Sequence, residues 1–159
     1  MAKMSFFLAP ETKNFIAIIG ATSMFLGAYW AVFQKDIKKV LAYSTISQLG
    51  LMILGIGVGG YEASLLHLFT HAFFKAGLFL CAGVVIHQLH HVEKQYHWHF
   101  DVQDMHYMGG FKQKMPFLFI VYTLCMLALA GLPFFSGFLS KDAIFIHIFQ
   151  YNAVHNSIL

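Results

Sequence analysis

Charge is what this chain has least of: 11% of its 159 residues are charged, where a soluble domain carries roughly a quarter. That excludes an ordinary water-soluble globular domain. The formal net charge is only +3, and no basic run alternates with aromatics, which excludes a nucleic-acid groove. Cysteine is scarce too. Cys81 and Cys125 lie in apolar runs and neither has a CxxC partner, so a thiolate metal site, a redox pair and a disulfide are set aside. The opening "MAKMSFFLAPETKN" has neither the apolar length nor the small-residue cleavage site of a signal peptide.

What the chain does have is hydrophobic length. Apolar residues make up 58% of it, 18 of them Phe that suit a lipid-facing surface, and the mean hydropathy is +0.66. Apolar runs of roughly 20 residues point to membrane helices. The fold class expected is all-α: a polytopic membrane protein of about four transmembrane helices, the last broken near Pro133, in a single membrane domain over residues 1–159. The spans are placed at 15–33, within "VLAYSTISQLGLMILGIGV", at 62–87, and from Pro116 through a break at "GLPFFSG" to about Phe149. Asp36 suits the N-cap of the second, and "GGYE" the turn before the third. A polar, His-rich linker fills 88–114. The chain starts near its first span and stops at "YNAVHNSIL", as a fragment of a larger membrane protein would.

Basic residues mark the cytoplasmic ends of short loops. Lys35, Lys38 and Lys39 place the first loop inside, "GGYE" falls outside, and Lys94, Lys112 and Lys114 place the linker inside. The N-terminus then lies outside.

Inside the third span stand His67, His71 and Lys75, spaced i, i+4, i+8 and so stacked on one helix face. A midspan lysine costs on the order of 3 kcal/mol on insertion scales. One histidine alone reads as helix glue; three titratable groups on one face read as an ion path, with steps of about 6 Å that a bridging water spans. Thr70 belongs with them. Tyr43, Ser44, Ser47 and Gln48, in the second span, suit either glue or a water-holding wall. In the fourth span Gly131, Pro133 and Gly137 predict a break. Non-helical backbone survives at membrane depth only when buried in protein or lining a hydrated cavity, and broken helices serve transporters as ion sites. Lys141 and Asp142 follow within two turns; the alternative for Lys141 is an interfacial, snorkelling lysine.

The linker histidines His87, His90, His91, His97, His99 and His106 suit a transition metal by type, but their spacing fits no tight metal pattern, so no metal site is assigned. A bis-histidine haem at His67 and His71 would need histidines at matching depth on a facing span, and the sequence supplies none.

Three stretches, "DIKKVLAYSTISQLG", "HLFTHAFFKAGLFL" and "LAGLPFFSGFLSKDAIF", occur here in an order that resembles the antiporter-like, proton-translocating subunits of respiratory complex I, above all the subunit L type of bacterial NADH–quinone oxidoreductase. The resemblance covers about 15–145. It implies inverted five-helix repeats, of which this chain would be most of the second, and a subunit with no redox centre of its own. It also implies partner subunits carrying NADH, FMN, iron–sulfur clusters and quinone, and a bacterial inner membrane. His67, His71 and Lys75 match the family's central-axis positions, and Lys141 the lysine at its second broken helix. The first repeat, its glutamate–lysine pair and the lateral helix are not in this sequence, and the linker is longer than usual. Cation/proton antiporters and membrane-bound hydrogenases share these motifs and remain the alternative.

Overall fold

The computed structural model describes residues 9–97 and 99–156. Trp98, one of the aromatic linker residues, lies outside them, as do the first eight residues and the last three. Among the described residues six α-helices follow in order: α1 (Pro10–Val32), α2 (Ile37–Gly57), α3 (Tyr61–Tyr96), α4 (Phe111–Lys114), α5 (Pro116–Ala130) and α6 (Ser136–Asn156), with a 3₁₀ turn at Met105–Tyr107. Three helices are long and apolar enough to cross a membrane, and α5 is a shorter apolar helix. The expected all-α membrane bundle is what forms.

From Phe15 on, helix α1 carries no charged residue, the composition of a membrane span. Its two buried described residues are glycines, Gly20 and Gly27. They let α1 and α2 touch backbone to backbone, the close approach that small residues allow between membrane helices. A Cβ on Gly20 would lie 2.7 Å from Leu54 Cα, and one on Gly50 would lie 2.8 Å from Met24 Cα.

Asp36 caps α2 as its sequence position predicts, accepting from the backbone of Lys38 (2.8 Å) and Lys39 (3.3 Å). Helix α3 departs from expectation at its far end. It does not stop at His87 but runs on to Tyr96, so residues 88–96 of the anticipated linker are helical, ending at His97 with φ 52°. Polar side chains end an apolar run without ending a helix, which hydropathy alone does not register. Thirty-six residues at 1.5 Å each give a rod of about 54 Å, well beyond a hydrocarbon core of about 30 Å. Helix α1 likewise starts at Pro10, ahead of its apolar run.

The rest of the linker returns to the α1–α2 loop. Ile37 N donates to Gln103 O (3.1 Å) and Met105 N to Lys35 O (2.9 Å), making a bridge between Asp36 and Asp104. Val102 is buried with Ile37, Leu41, Leu78, Ala82 and Ile86. Both basic connections therefore sit at one end of the bundle, and the Gly59–Gly60 turn at the other.

The fourth span is two helices. Gly131 ends α5 in the left-handed region (φ 78°), where a glycine has no steric cost. Its N–H bonds Ala128 O at 3.2 Å and Leu132 N bonds Leu127 O at 3.3 Å, closing the helix end. Phe134 also has positive φ and stands fully exposed. Helix α6 then starts at Ser136, and Gly137 packs on the end of α5, where an added Cβ would come within 2.9 Å of Ala128 C.

Candidate functional site

The break brings α6 against the polar face of α3, and four basic side chains meet the seam between α2, α3, α5 and α6. His67, His71 and Lys75 are all buried, at 0%, 4% and 5% exposure. Their stacking follows from the helical repeat alone: the His67 and His71 ring centres are 6.0 Å apart.

Lys75 Nζ donates to Leu41 O (2.9 Å) and to the Ser44 hydroxyl. Ser44 and Thr45 also turn their hydroxyls to Leu41 O, at 2.9 and 2.8 Å. Lys141 Nζ reaches back across the break to Leu129 O (2.5 Å), one of the carbonyls that the end of α5 leaves without a helical partner. A cation there also meets the negative end of the α5 dipole. Among the described residues no carboxylate lies within ion-pair distance of either lysine. Both are held by neutral oxygens, which do not fix a charge as a carboxylate would.

His67 is held at both ring nitrogens. Nδ1 is 2.8 Å from the Ser140 hydroxyl and Nε2 is 3.1 Å from Gln48 Oε1. The amide oxygen only accepts, so Nε2 carries a hydrogen. At Nδ1 the same heavy atoms fit two protonation states. With His67 neutral, Ser140 donates to Nδ1. With His67 protonated, Nδ1 donates to Ser140, whose hydrogen turns to Ser136 O at 3.1 Å. Rotation of one hydroxyl accommodates the gain or loss of a proton. Thr70 Oγ1, 3.2 Å from both Ser140 Oγ and His67 O, completes the group. His71 packs edge-on to Phe74 (5.3 Å between ring centres), and its Nε2 is buried with no hydrogen-bond partner among the described residues.

Three anticipated residues stand elsewhere. Ser47 faces α1, not the basic row: its hydroxyl bonds Met24 O at 2.9 Å, so it is helix glue. Tyr43 is half-buried and makes no hydrogen bond to the row. Asp142 is exposed and forms no ion pair with the neighbouring Lys141, since consecutive helix residues point about 100° apart. Ser140 is the residue that sequence pattern does not single out. The only signal for it is its position three residues after Gly137, once α6 is known to face His67. The linker histidines are peripheral: His90 meets Glu93 (3.1 Å), His106 meets Asp104 (2.7 Å), and no three His, Cys, Asp or Glu residues converge among those described.

An all-helical membrane bundle with a buried row of histidines and lysines beside a broken helix is the class that fold and site define. The chain belongs to the NADH:quinone oxidoreductase/Mrp antiporter transmembrane family, whose pattern it matches over residues 1–159. It is 50% identical over 145 residues to NAD(P)H-quinone oxidoreductase chain 5 of Picosynechococcus sp., covering 91% of this chain and 22% of that protein. Against NADH-quinone oxidoreductase subunit L of Rhodobacter capsulatus it is 46% identical over 147 residues, 86% of this chain and 19% of that protein. With NADH-ubiquinone oxidoreductase chain 5 of Allomyces macrogynus it shares 44% identity over 139 residues, 87% of this chain and 20% of that protein. The chain spans about a fifth of the length of the curated relatives it matches.

Proposed function

We propose that this chain carries part of a proton path through the membrane arm of an NADH–quinone oxidoreductase in a bacterial inner membrane. It works without a redox centre of its own, beside partner subunits that hold NADH, FMN, iron–sulfur clusters and quinone. His67, His71, Lys75 and Lys141 are the proton-carrying groups; Ser44 holds Lys75, Gln48 and Ser140 hold His67 with Thr70 beside Ser140, and the 131–137 break admits Lys141 to the seam. One observation carries the reading: among the described residues both lysines are held by carbonyl and hydroxyl oxygens, with no carboxylate within ion-pair distance. A purely structural lysine at this depth would be expected to have a counter-ion. The names of the relatives described above support the oxidoreductase over the Mrp-type antiporter that the family name also covers.

The test is Lys75→Met in the complete oxidoreductase, reconstituted in vesicles, with proton uptake followed by a pH-sensitive dye against NADH oxidation. Pumping per NADH is expected to fall sharply with the complex assembled. Pumping equal to wild type would reduce the row to helix glue.

A further inference from the structure

The polar row on α3 does not begin at His67. Ser64 lies three residues earlier on the same face and is 2% exposed, and among the described residues its hydroxyl has no hydrogen-bond partner. The Tyr61 hydroxyl, one turn further toward the start of α3, is likewise buried without a partner. Buried hydroxyls are rarely left unsatisfied, and each such group calls for a water or another occupant.

Across the seam, α6 carries Ser140, Ile144 and His147 at i, i+4 and i+7, one stripe of the helix. Ser140 meets His67. Ile144, fully buried, packs with Ser64 over Gly55: a Cβ added at Gly55 would meet the Ser64 hydroxyl and lie 3.1 Å from Ile144 Cγ2. The His147 ring covers Gly60, 3.0 Å from where a Cβ would stand. The two stripes thus run in register from the His67–Ser140 pair to the Gly59–Gly60 turn. They are polar at both ends, with a single apolar side chain between. From His67 to Tyr61 the axial distance is about 9 Å.

We propose that this half-seam is the outlet of the proton path, with Ser64, Tyr61 and His147 as its relay and Ile144 as the plug that keeps it dry between transfers. The inference rests on the proton-path reading above. When Ile144 shifts, water enters beside Ser64. A proton on His67 passes to that water, which gives one of its own hydrogens to the next oxygen. Ser64 and Tyr61 each take one proton on one side and release one on the other. His147 accepts the last and releases it to water at the turn as hydronium. Only O–H and N–H bonds form and break, and the relay is restored when the hydroxyls turn back.

The experiment uses the intact oxidoreductase in vesicles. Ile144→Ala, with Ile144→Val as the gentler variant, is expected to make the pH gradient decay several-fold faster once NADH is exhausted. Ser64→Ala combined with Tyr61→Phe keeps both shapes and removes both hydroxyls. It is expected to lower protons pumped per NADH oxidised, counted per assembled complex. Lys75→Met runs alongside. If Lys75→Met abolishes pumping while the plug variants hold the gradient and the double variant pumps as wild type, the outlet lies elsewhere and this proposal fails alone. If Lys75→Met pumps normally, the proton-path reading fails and the outlet with it. A double variant that assembles poorly yet pumps normally per assembled complex assigns the hydroxyls to packing and also overturns the outlet.

Discussion

His67 and Ser140 are 73 residues apart in the chain and 2.8 Å apart in space, joined through Nδ1 and a hydroxyl that can turn either way. This contact ties the continuous helix of the site to the interrupted one. It also makes Ser140 a positioning residue: it acts through His67.

Ser140→Ala should therefore lower proton pumping per NADH with the complex assembled. The loss leaves a buried imidazole nitrogen without its partner, at a cost of about 1–3 kcal/mol to whichever protonation state needed it. Ser140→Cys, of similar shape but a weaker donor and acceptor, should fall between alanine and wild type. Equal pumping in all three, measured with a pH-sensitive dye, would remove Ser140 from the path.

Lys75→Arg separates charge from titration. Arginine stays protonated in proteins because its pKa exceeds about 12, so the variant keeps a cation near Leu41 O and cannot release it. Pumping should drop as far as in Lys75→Met, with vesicles assayed as above. A half-active arginine variant would mean that the site needs only a fixed positive charge.

Gly137→Ala should block assembly. The added Cβ would lie 2.9 Å from Ala128 C, a backbone atom that cannot step aside, and overpacking of this kind costs about 1–3 kcal/mol. Gly109→Ala, at a position with open space around it, is the control. Blue-native gels of the two variants give the comparison.

Topology follows from the loops. Lys38 and Lys112 lie at one end of the bundle and Glu62 at the other, and all three are exposed. Single cysteines at Lys38 and Lys112 should be labelled by an impermeant thiol reagent from the cytoplasmic face, and a cysteine at Glu62 from the opposite one. Labelling of all three from one face would refute the arrangement.

Linker docking has a pH limit. The His106 backbone N–H, then its side chain, hold the Asp104 carboxyl below its ordinary value of 3.8. A depressed carboxyl contributes stability above the unfolded value, and that contribution is lost as pH falls through the folded one. Protection of the Met105 and His106 amides, measured as exchange relative to the intrinsic rate at each pH, should therefore be constant near neutrality and fall once pH drops below 3.8. Asp104→Asn should show the lower protection already at neutral pH.

Much of this was legible in the sequence because it is local or periodic. The i, i+4, i+8 row of His67, His71 and Lys75, the Asp36 cap and the Gly131–Gly137 break need only helix geometry and the steric rules for glycine and proline. What was not legible depends on how one helix is rotated against another. Ser47 and Gln48 are neighbours, yet one bonds α1 and the other His67. Asp142 follows Lys141 and points away from the seam. Ser140 joins the site only because α6 restarts after the break at one particular angle. The overrun of α3 to Tyr96 escaped because polar residues continue a helix as well as apolar ones.

Of the two elements that carry the site, one is an unbroken strut and the other is jointed. Helix α3 runs without interruption from Tyr61 to Tyr96, and the docked linker packs on its C-terminal half. The fourth span has a joint at residues 131–135, beside Lys141 and next to the carbonyls that Ser140 uses. A rigid strut and a jointed one in contact accommodate relative displacement at the joint. Under the proton-path proposal, displacement at that joint would move the Lys141 anchor at Leu129 O and the Ser140 hydroxyl bonded to His67 together.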